Sequence, residues 1–420
     1  MITASHGPVT SCQICGCTDL QSVIFLAFLP SVNVMCPLTA AHTQEQWFPA
    51  EMLRCPRCTL VQLGFIADPA LVFPPEYPYT SGTTRILREN FADLFRSVRS
   101  LMDLRPEHFV IDIGSNDGTL LKNFKEGGHK VLGIEPSLTA KLAEKAGIET
   151  LMTFFGTPAT DTVLKTHGQA DVITAANVFA HILDPNSVVS NIGRLLKDDG
   201  VFVSESHYLL GLIQTLQYDT IYHEHLRYYS LQSIQFLLEK HGFNVFKVQR
   251  IPTHGGSIRV YAQRGKRFAS DGSVKVLLEE EDRAGLTGTS WTRAFREGII
   301  RSKLELYRLL ADIHAKGQKV YGISAPSRAS TLLNYVGLDD GLLPCVLEIK
   351  GSQKIDKYMP GRNIPVLEES KLYEDQPPFA LLLSWHIADE LMVNLKKRGY
   401  RGDFIVPLPS PRIVRSSEVG

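Results

Sequence analysis

The stretch Phe109–Gly118, FVIDIGSNDG, decides the fold of this chain. Its first five residues are apolar except Asp112, as expected of a short strand covered on both faces. Gly114 and Gly118 then frame a turn of the form D-x-G-x-x-x-G, and a helix is predicted from Thr119 to about Lys125. Glycines in such a turn let the backbone reverse tightly and approach a ligand closely. The pattern is not G-x-G-x-x-G, and it has no Walker lysine. Working outward, Lys130–Ile134 (KVLGI), Ala170–Ala175 (ADVITA) and Gly200–Ser204 (GVFVS) read as further strands with helical stretches between them. That alternation predicts an α/β fold with a doubly wound parallel sheet. Glu135, at the end of the second strand, stands where an acidic side chain accepts hydrogen bonds from a ribose diol.

Upstream, Arg85–Leu104 has helical period and places Ile86, Phe91, Leu94, Phe95, Val98 and Leu101 on one face. A proline-rich hinge, Pro74–Gly82, precedes it. The segment before the hinge is poor in helical period, with strand-like pieces such as Thr59–Phe65. It carries Cys12-x-x-Cys15 and Cys55-x-x-Cys58, with 39 residues between the two knuckles. Two such knuckles bring four thiolates to the corners of a tetrahedron, the geometry of a structural Zn²⁺ site. A closed site of this kind contributes folding energy and no catalysis. The long gap implies an inserted hairpin or loop, and the alternatives are unrelated thiol pairs or a redox CxxC. Cys17, Cys36 and Cys345 read as incidental or buried.

Downstream, a second α/β unit begins near Lys319 with KVYGI, a loop and helix in SAPSRASTLLNYVGL, and strands in LLPCVLEI and FALLLSW. The charged stretch Leu277–Arg296 reads as a solvated linker helix, and the tail RSSEVG as disordered. Three domains are expected: residues 1–73, 74–265 and 266–410. The 420 residues hold 44 Lys plus Arg against 44 Asp plus Glu, with 44% hydrophobic and 21% charged residues. Zero net charge argues against nucleic acid or an acidic membrane surface as partner. No run approaches the ~20 apolar residues of a membrane span. MITASHGPVT lacks the features of a signal peptide, so a cytoplasmic protein is expected. No long heptad seam suggests a coiled-coil dimer, and a monomer is expected.

Just after the fourth strand comes Tyr222-His223-Glu224-His225-Leu226, then Tyr228-Tyr229-Ser230. This is not the H-E-x-x-H of a zinc protease. Two imidazoles and a carboxylate within three residues can serve as tuned bases, and a tyrosine can donate a hydrogen bond to an enolate. A solvated loop with capping histidines is the plainer alternative. The glycine turn, Glu135, Phe154-Phe155, Asp171–His181 and LLKDDGVFVSES together resemble the S-adenosylmethionine (SAM) site of class I methyltransferases. That resemblance groups Asp112, Gly114, Asn116, Asp117, Gly118 and Glu135 around SAM. It puts Phe155 over adenine and Asn177 near the methionine end. A nicotinamide-binding domain is the competing reading.

The CxxC pair, the YPY hinge, D-x-G-x-N-D-G, AAN followed by His181, Y-x-E-H, the HGGS-x-R segment and the C-terminal unit extend the likeness over nearly the whole chain. In that combination it resembles the nucleotide-sugar C-methyltransferases of deoxysugar biosynthesis, typified by the sugar 3-C-methyltransferase of the tetronitrose pathway. The resemblance implies a zinc module, a Rossmann-like SAM core and a C-terminal lobe that grips a nucleotide-linked keto-deoxysugar. It implies methylation beside the keto group through an enolate, mostly at C3, with C5 in some members. His225 and Glu224 become the base candidates, Tyr222 orients or protonates the enolate, and His181 lines the site. Tyr77 and Tyr79 would close over the sugar, with His254 and Gly255 at the same cleft. In the C-terminal loop Ser324, Arg328, Ala329 and Ser330 replace the usual Gly, Lys, Gly and Asn, with Arg328 and Lys354 as phosphate ligands. Asp356 also stands where glycine is usual. An O-methyltransferase and a non-catalytic SAM-binding module are the rivals.

Overall fold

Strand Phe109–Ile113 is buried at every position, in a computed structural model that describes residues 6–39, 45–72 and 80–420. It lies within a seven-stranded sheet ordered Asn244–Ile251, Ser257–Gln263, Leu196–His207, Ala170–Ala176, Phe109–Ile113, Lys130–Ile134, Thr150–Leu151. From Phe109–Ile113 the chain moves out to Lys130–Ile134 and Thr150–Leu151, then crosses back to Ala170–Ala176 on the other side. This reversal is a topological switch point, which opens a crevice at the carboxyl ends of the two central strands. One strand departs from the expected parallel sheet. Ser257–Gln263 runs antiparallel to both neighbours, because the short turn at Thr253–Gly255 can only fold it back as a hairpin.

Helix Arg85–Met102 forms as expected, but its inner face is rotated by about one residue. Leu87, Asn90, Phe91, Leu94, Val98 and Met102 are buried, while Ile86 and Leu101 are not. Asn90 accounts for the shift. Its side chain donates to Glu205 (2.8 Å) and accepts from Arg259 (3.0 Å). Glu205 and Arg259 themselves form a fully buried ion pair at 2.6 Å. A buried charge pair needs every remaining donor and acceptor satisfied, so a polar residue is pulled to the side that hydrophobic patterning gives to apolar ones.

The N-terminal module is an antiparallel sheet of Gln21–Pro30, Trp47–Arg54 and Val61–Leu63, and the expected inserted hairpin is its first two strands. Its fourth strand is Arg227–Tyr228, lent by the core immediately after the Tyr222–Leu226 motif. The C-terminal unit has a second seven-stranded sheet, parallel in its five inner strands and edged by the antiparallel Lys357–Tyr358 and Arg412–Val414.

Two expectations about the linker and tail are corrected. The charged stretch is two helices, Ser273–Arg283 and Ser290–Ala315, broken near Gly285 (φ 76°). It is not merely solvated. Glu281 is fully buried, accepting from the Tyr208 hydroxyl at 2.9 Å and from the Leu231 and Gln232 amides at the start of helix Leu231–Lys240. Those free helix N-terminal donors explain why a carboxylate is drawn inward. The tail is held in place as well, with Lys396 bonded to the Ser416 and Val419 carbonyls and the Ser416 amide bonded to Asp403. No helix among the described residues is long and apolar enough to cross a membrane.

Candidate active site

The glycine turn lies at the switch point. Gly114 has φ 69° and Gly118 φ 77°, both in the left-handed region. A Cβ on Gly114 would fall 2.5 Å from Val178 Cγ2. Gly114→Ala is therefore expected to weaken SAM binding at least ~10-fold, since left-handed backbone alone costs a non-glycine residue ~1–2 kcal/mol. Calorimetric titration checks this, and an unchanged affinity would show that the turn tolerates a side chain. Glu135 is buried and accepts from the Asn116 amide (3.0 Å) and the Ser137 amide (2.8 Å). These bonds fix the Glu135 carboxylate at the edge of the crevice. Asp112 lies beneath the turn, bonded by the Thr174 hydroxyl at 2.6 Å, and burial pushes its carboxyl up to about 7.

Asn116 and Asp117 face the chain entering the core. The Asn116 side-chain oxygen accepts from the Ser81 amide (2.9 Å), and Asp117 accepts from the Gly82 amide (2.8 Å). They tie the glycine turn to the short helical turn Ser81–Thr83 at the end of the hinge. Phe155 is half-buried against the main core, and its neighbour Phe154 is exposed. Asn177 adopts φ 60° just past strand Ala170–Ala176, with its amide bonded to the Glu205 carbonyl at 2.8 Å. Tyr77 and Tyr79 lie outside the described residues.

The Tyr222–Leu226 motif is clamped from three sides. The Leu226 amide bonds the Ala180 carbonyl beside His181, and the Leu226 carbonyl accepts from Leu63 of the N-terminal sheet. Glu224 is buried and accepts from Asn33 Nδ2 at 2.5 Å, while Asn33 Oδ1 accepts from Ser327 of the C-terminal unit at 2.9 Å. Asp219, just before the motif, is gripped by Arg328 through two nitrogens (2.7 and 2.9 Å) and by Trp385 Nε1 (2.7 Å). Arg328 also lies 4.8 Å above the Trp385 ring and bonds Gln217 at 3.1 Å.

The ring nitrogens can be assigned from their partners. His225 Nδ1 sits 3.0 Å from the Thr220 carbonyl, which can only accept, so the proton is on Nδ1. The lone pair is then on Nε2, 3.2 Å from the Tyr222 hydroxyl. His181 Nδ1 likewise donates to the Glu224 carbonyl at 2.8 Å. The rings of His181 and His225 are 5.1 Å apart, and His207 lies 6.5 Å from His225. Gln217 donates its nitrogen to the Gly255 carbonyl, so its oxygen faces His207 Nε2 at 3.0 Å and places a proton there. His254 follows with φ 56°, a backbone conformation costly for a side chain of this size.

Sequence reasoning missed His207, His386, Asn33, Gln217 and Asp219. Only His207, inside the strand that precedes the motif, had a local signal. His181, His207, His225, His254 and His386 are each half-buried. Burial holds all five neutral, with nearby cations and imidazoles adding to it. His181 and His254 are lowered to about 4, His207 to about 3, and His225 and His386 well below the usual range. An unfolded histidine titrates near ~6.5, so as pH falls from there toward 4 the unfolded chain gains protons that the folded one refuses. Stability is therefore expected to fall by roughly 1 kcal/mol per pH unit per histidine across that window. Urea midpoints at pH 7.5 and 5 test this, and equal midpoints would contradict it.

In the C-terminal loop, Ser324 (φ 68°) and Asp356 (φ 62°) both adopt the left-handed backbone that glycine favours. The resemblance noted in the sequence implies glycine at both positions. Lys354 bonds the Ala325 carbonyl at 2.7 Å, and burial lowers its ammonium while Glu348 and Glu224 oppose the shift. Arg328 is committed to Asp219, so a pyrophosphate would have to compete with a buried carboxylate for it.

The four cysteines of the N-terminal module come together. Cys12, Cys15, Cys55 and Cys58 place their sulfurs within 4.8 Å of one another, with Cys12–Cys58 at 3.4 Å and Cys15–Cys55 at 3.5 Å. Zn–S bonds of ~2.3 Å make a tetrahedron with edges of about 3.8 Å, so this donor set fits Zn²⁺ with no open position. Each knuckle turns through a left-handed residue, Gly16 (φ 74°) in one and Thr59 (φ 59°) in the other.

Comparison with known proteins agrees with this geometry. Residues 12–73 match a zinc binding domain family, 86–248 a methyltransferase domain family and 252–409 the C-methyltransferase C-terminal domain family. The chain is 30% identical to the C-methyltransferase NovU of Streptomyces niveus over 420 residues, covering 97% of each protein. It is 31% identical to the ubiquinone biosynthesis O-methyltransferase of Bordetella avium over 99 residues, covering 23% of this chain and 41% of that protein. A SAM-dependent methyltransferase of Clostridium acetobutylicum superposes with TM-score 0.35 at 13% identity, covering 42% of this chain and 92% of the other. With the cysteine cluster, the switch-point crevice and a full-length relative all in agreement, the chain belongs to the C-methyltransferase family, as a SAM-dependent, zinc-binding methyltransferase.

Proposed function

We propose that this chain methylates the carbon next to the keto group of a nucleoside-diphosphate 4-keto-6-deoxysugar, with C3 as the methylated position. The observation that carries the reading is the Tyr222 hydroxyl on the lone-pair nitrogen of His225, within a cluster of neutral imidazoles. A proton beside a ketone is weakly acidic, so its removal needs a neutral base shielded from water. When bound, SAM supplies a methyl group already activated on a sulfonium centre. The protein's task is to generate the carbanion beside it and hold the two in line.

His225 Nε2 is the proton acceptor. Because the Tyr222 hydroxyl occupies that nitrogen, the carbon-bound proton passes to the Tyr222 oxygen as the phenol proton moves to Nε2. The C–H electron pair becomes the enolate. Burial raises the Tyr222 phenol well above its ordinary range, so it stays protonated until the transfer. Glu224 positions rather than abstracts, since its carboxylate is engaged by Asn33 and its carbonyl orients His181. Lys354 and the start of helix Ser327–Val336 are the groups suited to a diphosphate. Arg328 ties that lobe to the catalytic loop.

The test is mass spectrometry of sugar nucleotides after incubation with SAM, over thymidine- and guanosine-linked 4-keto-6-deoxy and 4-keto-2,6-dideoxy sugars. A gain of one methyl, carbon-bound by NMR, is expected on one of them. A methyl on oxygen, or no methyl on any sugar while SAM binds, would overturn the reading.

A further inference from the structure

His386 belongs to no motif in the sequence and sits in the turn Trp385–Ile387 of the C-terminal unit. That turn packs on the Thr253–Gly255 turn of the core, which carries His254. Burial lowers the His386 imidazole well below its usual range, and Arg328, His254 and His207 are close enough to add to that shift. Its backbone position is fixed by Trp385, whose indole nitrogen is bonded to Asp219 and whose ring is covered by Arg328. The residue is therefore held in a defined place relative to the catalytic loop.

Its Nδ1 is shielded from solvent, and no protein group among the described residues reaches it. His254 Nε2 is in the same condition. Shielded polar atoms are nearly always paired in folded proteins, because leaving one unpaired costs free energy comparable to a lost hydrogen bond. Two such nitrogens, on turns of two units that pack against each other, point to a ligand that completes them. A neutral imidazole offers one donor and one acceptor, which matches a hydroxyl or carbonyl oxygen better than a phosphate.

We propose that His386 is a substrate-contacting residue that hydrogen-bonds a hydroxyl or keto oxygen of the sugar through Nδ1, opposite His254. This rests on the reading of the substrate as a keto-sugar nucleotide. It means that the C-terminal unit shapes the reacting end of the substrate as well as its nucleotide.

The experiment compares wild type, His386→Phe and His386→Asn in the full-length, zinc-loaded protein. Phenylalanine keeps the ring volume without the nitrogens, and asparagine keeps a polar atom near the Nδ1 position. His386→Phe is expected to raise KM for the keto-sugar nucleotide about 10-fold or more, the effect of orphaning one substrate hydrogen bond. SAM affinity, melting temperature and inhibition by the nucleoside diphosphate alone should stay within about twofold. His386→Asn should recover most of the loss. An unchanged KM in His386→Phe overturns the proposal, as does a loss shared with nucleoside diphosphate inhibition, which would place His386 on the nucleotide. An equal fall in melting temperature for both variants would make it a packing residue. If the wild type methylates no keto sugar, the substrate reading fails and this contact fails with it.

Discussion

Replacing His225 with alanine is expected to lower turnover about 10²- to 10⁴-fold, the contribution of a positioned general base. Substrate KM should change little, because the lost interaction operates only as the carbon-bound proton leaves. The argument is one of tautomers. The Thr220 carbonyl forces the proton onto Nδ1, so Nε2 alone can accept, and the Tyr222 hydroxyl is the group facing it. Tyr222→Phe should therefore cause a loss of similar order, and the double variant should be little worse than either single one, since both remove the same relay. Single-turnover kinetics with saturating SAM measure this directly. Additive losses would mean that the two side chains act separately, and a His225→Ala enzyme within tenfold of wild type would move the base elsewhere.

The second large effect is expected at the cysteines. Cys55–Cys58 leads straight into strand Val61–Leu63, whose Gln62 pairs with Arg227, two residues past His225. Arg227 is fully buried and bonded to the side chain of Gln13, between Cys12 and Cys15. Both knuckles are thus tied to Arg227, directly after the Tyr222–Leu226 motif. Structural zinc contributes ~10–16 kcal/mol in zinc-finger peptides, as much as the ~5–15 kcal/mol that holds a whole domain together. Removing the metal with a chelator, or Cys55→Ser, should unfold the module and abolish methyl transfer. SAM affinity should stay within a few-fold, because the glycine turn and Glu135 belong to the core sheet. Metal analysis should find one zinc per chain. Full activity in a zinc-free protein would show that the Tyr222–Leu226 loop holds its shape without the module.

Much of the fold is legible in the sequence because its signals are local. FVIDI is strand-like from its own residues, and the glycine turn and the two CxxC knuckles need nothing outside themselves to be read. The rotation of helix Arg85–Met102 is not legible, since Asn90 turns inward for a buried ion pair assembled from strands more than 100 residues later. Arg328 shows the same limit. As an arginine in the first turn of a helix it invites a phosphate, yet its partner Asp219 lies 109 residues earlier. Within the site, the motif residues stand together as their spacing suggests. His386 and Asn33 enter only because two other domains fold against that loop, and a linear pattern carries no trace of such contacts. Glu281 reads as part of a solvated helix for a related reason, because the helix start it caps lies 50 residues away.

The most direct test of the chemistry is proton exchange without methyl transfer. The protein is incubated in D₂O with the keto-sugar nucleotide and no SAM, and the proton beside the keto group is followed by NMR. Loss of the C3 proton signal with wild type, and its retention with His225→Ala, is the predicted result. Retention with wild type, on a sugar nucleotide that the enzyme does methylate, would contradict enolate formation at C3.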